Sequence, residues 1–394
     1  MADRRQWRHR ETAAVREQTA QSANREHSVP LYLTSSFTFE NAEQARALFA
    51  QEEEGNIYSR FTNPNVDEFV SKMCALEGTE DGIATASGMS AVFTCFAALL
   101  NSGDEILASR SVFGSTHQVL TQILPRWGIT HRYGYITQPE TWTDLVSERT
   151  RLCYVETPSN PTLDLIDLEW LGSFCRERDI VLVVDNIFAT PILQRPAEYG
   201  SDLVIHSATK YIDGQGRGLG GVILGRKDLI EKVRGFARHS GPCLSPFNAW
   251  MFSKSLETLA LRIEKHSDVA EAVARHLEAH PDVERVLYPH LPSHPQYELA
   301  RKQMSRGGGM VSFIVRGGLE RGRRFLDAIR MCSLTANLGD TRTIVTHPAS
   351  TTHSKLTEED RLAVGIEPGL VRISVGFEHP EDVMADVDQA LEAS

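Results

Sequence analysis

The chain has 394 residues, of which 41% are hydrophobic and 24% charged, the balance of a folded globular protein too long for one ordinary core. A formal charge of −11, with no basic stripe, argues against a general nucleic-acid binder. No apolar run approaches the roughly 18–20 residues that a membrane span needs; Ala91–Leu100 has only the length of a buried helix.

The N-terminus carries Arg4, Arg5, Arg8 and Arg10 among Asp3, Glu11 and Glu17, without the apolar stretch of a secretory signal. It reads as a solvated tail or exposed helix. Residues 1–60 are expected to form an arm ahead of a large domain, 61–255, and a small domain, 256–394. From Asp81 onward, short β-rich runs alternate with helical patterns. The expected strands are Gly82–Ala86, Glu105–Ala108, His131–Tyr135, Leu152–Glu156, Ile180–Asp185, Leu203–His206 and Gly221–Leu224. Helices are expected at Met89–Leu100, Gln118–Leu124 and Leu168–Arg178. Such alternation predicts an α/β fold with a mostly parallel sheet covered on both faces. Continuous apolar runs such as Ile180–Val184 suit strands buried on both sides.

Beyond Trp250 the pattern changes. A long helical stretch runs from Trp250 to His280, then Pro281, Pro289, Pro292 and Pro295 punctuate a turn-rich region. Strands Met310–Val315 and Leu370–Val375, with helical segments around them, predict a smaller α/β domain. The six cysteines are scattered, with no C-x-x-C pair, and several sit within apolar runs. Reduced, buried thiols and a cytoplasmic location are expected.

Ligands of open α/β sheets bind beyond the carboxyl ends of the strands, and the chemically useful residues collect there. Ser87-Gly88-Met89 follows the first strand and opens a helix, whose free N–H groups suit a phosphate. Phe113 follows the second strand, Asn160 the fourth, and Asp185 ends the fifth. A carboxylate closing an apolar strand calls for a cationic partner. Lys210 follows the sixth strand beside Ser207 and Thr209; a desolvated lysine amine there can form a Schiff base. Each feature alone has a plainer explanation: a helix start, a structural salt bridge, a surface lysine. Together they converge on one crevice.

These segments resemble the Cys/Met-metabolism, or cystathionine γ-synthase-like, pyridoxal-phosphate enzymes. The likeness covers almost the whole chain through Tyr58–Pro64, Ala86–Ala91, Glu156–Pro161, Val184–Asn186, His206–Tyr211, His347–His353 and Leu370–Gly376. It implies a fold type I transferase, with a seven-stranded sheet in the large domain and pyridoxal 5'-phosphate as cofactor. It further implies that Lys210 binds the cofactor and is catalytic, that Asp185 pairs with the ring nitrogen, and that Phe113 stacks on the ring. Ser87, Gly88, Met89, Ser207 and Thr209 would hold the phosphate. Tyr58 and Arg60 would reach that phosphate from a neighbouring subunit, Tyr58 also assisting catalysis. Shared sites imply a homo-oligomer, expected as a tetramer built from two dimers. Arg372, with Asn160 and Asn337 beside it, would bind the substrate carboxylate.

Three departures refine this expectation. Phe113 stands where many lyases of the family carry tyrosine, Ile187 where threonine is common, and Asn337-Leu338-Gly339-Asp340 where synthases and lyases have Ser-Leu-Gly-Gly. The Asn337–Asp340 stretch resembles the homoserine-ester sulfhydrylases, and Tyr211–Arg217 is especially similar to the O-succinylhomoserine sulfhydrylases, with O-acetyl enzymes as near relatives. The implied reaction is γ-replacement on an O-acylhomoserine by sulfide, giving homocysteine for methionine biosynthesis. A cystathionine γ-synthase or a γ-lyase is the alternative.

Competing motifs carry less. Ser207-Ala-Thr-Lys210 fits the S-x-x-K of serine β-lactamases, but the accompanying S-D-N and K-T-G are absent. Gly216–Gly221 fits G-x-G-x-x-G yet leads into a strand rather than a helix, and Gly307-Gly308-Gly309 reads as a loop. His347 and His353, six apart, have poor metal-ligand spacing, so no metal is expected. A fold relative reduced to a binding module would not need Lys210, Asp185 and Arg372 together.

Overall fold

The computed structural model describes residues 7–18, 22–354 and 357–394. Arg4 and Arg5 therefore lie outside the described residues. Among those described, the strands form two sheets. The larger contains β1 (Asp81–Thr85), β2 (Glu105–Ser109), β3 (Thr130–Gly134), β4 (Thr150–Glu156), β5 (Val181–Asp185), β6 (Leu203–Ser207) and β7 (Gly221–Gly225), in spatial order 1-7-6-5-4-2-3. Strands β6, β5, β4, β2 and β3 pair in parallel; β7 runs antiparallel to both its neighbours. This is the expected α/β architecture. The one reversal follows from the short β6–β7 connection, which contains no crossover helix.

Both faces are covered, which explains the unbroken apolar strands. Val183, Leu203 and Ile205 pack with Ala91, Phe96, Ile230 and Val233 from helices Gly88–Leu99 and Lys227–Ser240. Leu182 and Val184 pack on the opposite face with Leu171 and Phe174 of helix Leu168–Arg176. The smaller sheet has order 10-11-12-9-8, formed by β8 (Val283–Leu287), β9 (Met310–Val315), β10 (Ser333–Leu334), β11 (Ile344–Thr346) and β12 (Leu370–Ser374). Helices Leu259–Glu278 and Pro380–Glu392 cover it through Val269, Val273, Val383 and Val387. Two of these strands, β9 and β12, are legible as apolar runs. The others are short or, in β8, interrupted by charge. No described helix is long and apolar enough to cross a membrane.

Three local expectations need correction. The N-terminal segment is neither a free tail nor a fully exposed helix. Arg10–Arg16 is helical and buries Ala13 and Ala14, with Ala14 joining the core around Phe69 and Met73. Two adjacent alanines suffice there, although the surrounding charge obscures them. The helix expected at Gln118–Leu124 begins earlier, at Gly114, and widens into a π-turn over Val119–Ile123 before Pro125, which lacks an N–H to continue the ladder.

The long stretch after Trp250 is two helices, Pro246–Leu256 and Leu259–Glu278. At the break the backbone tightens, Thr258 N donating to Ser255 O at 3.2 Å, and the same oxygen also accepts from Arg262 Nη2 at 3.0 Å and from Thr258 Oγ1 at 3.2 Å. Buried Arg262 also donates to Tyr211 O and Ile212 O, so the helix break and the segment holding Lys210 share one guanidinium. Hydrogen bonds to a charged group contribute about 1.5–3 kcal/mol each, and buried carbonyls left without donors add a penalty. Arg262→Met is expected to lower stability by roughly 3 kcal/mol, read as a reduced urea midpoint at unchanged m-value. A midpoint equal to the parent's would mean that the guanidinium does not fasten this junction.

Candidate active site

Lys210 owes its position to a turn rather than to regular structure. β6 ends at Ser207, and the segment Ala208–Ile212 coils tightly, with Lys210 itself at non-helical φ −93°, ψ −128°. Asp213 N donates to Ala208 O at 2.9 Å and Gly214 N to Lys210 O at 2.8 Å, closing the turn. A loop from the small-sheet side lies against it. Gly339, at φ +76°, has no room for a side chain: a Cβ there would lie 2.7 Å from Tyr211 N and 3.0 Å from Lys210 C. This approach brings Asn337 to Lys210, whose Nζ donates to Asn337 Oδ1 at 2.6 Å. Burial, then the charge of Arg372, lowers the amine to about 8.

Asp185 closes β5 with 4% of its surface exposed. Tyr154 Oη donates to its Oδ2 at 3.0 Å and Ile187 N to its Oδ1 at 3.1 Å. Burial pushes the carboxyl up to about 6, against the pull of these donors and of His206. Beside it in register, Glu156 closes β4 and accepts from Phe113 N at 3.0 Å through Oε2. Phe113, 43% exposed, lies at the same edge.

Arg372, on β12, is 3% exposed. Its Nη1 donates to Asn160 Oδ1 at 2.8 Å and its Nη2 to Asn337 O at 3.3 Å, while Nε has no partner among the described residues. A buried guanidinium with an unused donor is prepared for an anionic ligand.

At the start of helix Gly88–Leu99, Ser87 Oγ caps Ser90 N at 3.1 Å. A Cβ on Gly88 would come within 2.6 Å of Ser207 Cβ, so the bare backbone packs against β6 and leaves the helix N-terminus open to an anion. Thr209 Oγ1 lies between Gly220 N, at 3.2 Å, and Gly220 O, at 3.4 Å; Thr116 Oγ1 donates to the Met89 sulfur at 3.8 Å.

Lys210, Asp185, Phe113, Asn160, Asn337, Arg372, Ser207, Thr209 and the Ser87–Met89 turn thus gather around one edge. Tyr58 and Arg60 make their contacts elsewhere. Tyr58 bridges Ser36 and packs edge-on to Phe61, and Arg60 lies over the Phe61 ring and donates to Arg238 O. Sequence reasoning missed Tyr154, Glu156 and Arg262. A tyrosine within an apolar strand, two residues before a strand-end glutamate, was the available signal for the first two. Arg262 lay hidden in an ordinary helical pattern.

The edge suits a ligand with a phosphate at the Gly88 helix, an aromatic ring over Phe113, a ring cation at Asp185 and a carbonyl at Lys210. A substrate carboxylate would meet Arg372. Residues 11–392 match the profile of the family described as Cys/Met metabolism PLP-dependent enzymes. The O-succinylhomoserine sulfhydrylase of Pseudomonas aeruginosa is 49% identical over 383 residues, 97% of this chain and 95% of that protein. An L-methionine gamma-lyase of Pseudomonas putida is 41% identical over 367 residues, covering 93% and 92%. A solved Campylobacter jejuni structure, described as an O-acetylhomoserine (thiol)-lyase carrying a pyridoxyl-lysine phosphate, superposes with TM-score 0.93 at 36% identity, covering 97% and 99%.

The lowered amine gives a direct expectation. In cofactor-free protein, labelling of Lys210 by trinitrobenzenesulfonate should rise with pH around a midpoint near 8, well below that of ordinary lysines. Arg372→Gln removes a neighbouring positive charge, favours the protonated amine, and should move that midpoint upward. Peptide-resolved labelling checks both; an ordinary midpoint in the parent, or no upward move in the variant, would contradict this account of the pocket.

Proposed function

This chain belongs to the Cys/Met metabolism PLP-dependent enzymes, and within that family we propose that it replaces the γ-acyloxy group of O-succinylhomoserine with sulfide, forming homocysteine. The observation that carries this choice is the pairing of a hydroxyl-free Phe113 with a Lys210 amine held by Asn337. That leaves Lys210 as the principal proton carrier of the site. Similarity to an O-succinylhomoserine sulfhydrylase along 97% of the chain supports the same reading.

When bound, the cofactor supplies an electron-withdrawing ring that stabilises negative charge on substrate carbon. The protein's residues do the rest. Asp185, fixed by Tyr154 and Ile187, holds the proton on the ring nitrogen. The open N-terminus of the Gly88 helix, with Ser207 and Thr209, receives the phosphate. Arg372 takes the substrate α-carboxylate, and Asn160 steadies the guanidinium. Lys210, uncharged above about pH 8, accepts the Cα proton and later returns it. Phe113 shields one ring face from water and offers no acid to divert the reaction. A proton then leaves Cβ as the acyloxy group departs from Cγ as succinate; the hydrosulfide sulfur bonds to Cγ and a proton returns to Cβ.

O-acetylhomoserine is the near competitor, and γ-elimination is the second reading, favoured by the likeness to methionine gamma-lyases. Initial rates with each ester, paired with sulfide or cysteine, discriminate these readings. O-succinylhomoserine with sulfide is expected to be fastest and to yield homocysteine. Faster use of the acetyl ester, cystathionine as main product, or keto acid and ammonia exceeding thiol product would each displace the proposal.

The assembly we propose is a homo-oligomer, a tetramer of two dimers, in which the arm of residues 1–60 brings Tyr58 and Arg60 to a neighbour's phosphate. Both are exposed, and Arg60 and Arg238 flank Phe61 with positive charge. A cytoplasmic location suits five buried cysteines with no disulfide among them. Mixing Arg60→Ala with Lys210→Ala subunits should restore activity, because some hybrid sites receive neither defect. If exchange of subunits is verified and no activity returns, the shared site is refuted.

A further inference from the structure

Glu156 is absent from the residues assigned above, yet its position is specific. It closes β4 directly beside Asp185, which closes β5. Tyr154 and Glu156 are two apart on a strand and therefore share a face, and Tyr154 already donates to Asp185. Two carboxyl groups thus stand side by side at the edge, with 5% and 4% of their surfaces exposed. Adjacent buried carboxyls cannot both ionise without a large cost, so one keeps its proton.

The surroundings decide which one. Asp185 receives two donors, a phenol and a backbone N–H, and would meet the ring cation. Glu156 receives one backbone N–H, from Phe113. Arg372 makes no ion pair with Glu156 among the described residues; its terminal nitrogens are taken by Asn160 and Asn337. Burial first, then the charge of Asp185, raises the Glu156 carboxyl well above its usual range, while the Phe113 N–H and Arg372 oppose that rise less effectively.

We infer that Glu156 is a positioning residue held as a neutral carboxylic acid, which anchors the Phe113 backbone while leaving the negative charge of the pair on Asp185. One acid would then serve two ends. Its acceptor oxygen fixes the loop that carries the stacking ring. Its retained proton prevents a second anion from competing with Asp185 for the ring nitrogen. The inference rests on the proposed role of Asp185 toward the cofactor, but proton placement can be measured without it.

The infrared spectrum of cofactor-free protein at neutral pH should contain a protonated-carboxyl C=O band that disappears in Glu156→Gln. Loss of a carboxylate band instead would overturn the proposal. In the loaded enzyme, Glu156→Gln keeps a neutral acceptor for Phe113 N. It should hold the cofactor within about twofold of the parent and leave the pH midpoint of its visible band in place. Glu156→Ala should weaken cofactor binding by about tenfold, the loss of one hydrogen bond. A midpoint moved by about one unit in the glutamine variant would reveal an ionised Glu156. Rescue by glutamine separates this role from a general folding defect, which would weaken both variants. Asp185→Asn is the control for the underlying premise. If it leaves cofactor affinity and the visible band unchanged, the role of Asp185 fails while the infrared result still locates the proton.

Discussion

Lys210, Asp185, Glu156 and Arg372 surrender most of their water at one site, and the surrounding structure is arranged around that desolvation. An isolated buried charge is too costly to persist, so each group is paired, hydrogen-bonded or driven toward its neutral form. Lys210 follows the last course, its amine lowered to about 8. Asp185 follows the second, with Tyr154 and Ile187 as donors. Arg372 remains charged, lowered only to about 10, with Asn160 and the Asn337 carbonyl as acceptors. The same loss of water that makes the edge expensive makes its lysine basic chemistry available near neutral pH.

Such an edge needs a rigid frame, and the frame comes from close backbone approaches that side chains would prevent. Gly88 lies against Ser207, Gly221 against Ser87, and Gly339 against the Lys210–Tyr211 peptide. Arg262 ties the same turn to the break between two long helices. Gly214 makes room for that tie: a Cβ there would meet Arg262 Nη1 at 2.1 Å. These contacts convert a loop lysine into one with a fixed direction.

Strands β2, β4, β5 and β6 are readable in the sequence because each is largely an apolar run closed by a polar residue, Ser109, Glu156, Asp185 or Ser207. That pattern exposes both the architecture and the edge on which chemistry collects. It is also why Asp185 and Lys210 are conspicuous. Arg262 is not, because a helical arginine carries no mark of the distant carbonyls it will meet. Glu156 is similarly obscured: its significance depends on the strand order that places β4 beside β5. β10 and β11, of two and three residues, fall below any periodic signal. Tyr58 and Arg60 show the opposite case. Their segment is distinctive in sequence, while their contacts within one chain give no role at the Lys210 edge.

The site draws on both sheets. Lys210, Asp185 and Phe113 come with the large one, whereas Arg372 stands on β12 and Asn337 precedes β11. Asn337 spans the junction through two different atoms: its side-chain oxygen receives Lys210, and its backbone oxygen receives Arg372. A ligand carboxylate competing for Arg372 would therefore act on the loop that restrains the lysine. Gly339, pressed onto the Lys210 turn two residues later, limits how far that loop can follow. A carboxylate meeting Arg372 and an amine leaving Asn337 would thus act on the same three-residue segment, 337–339, which lies between the two sheets.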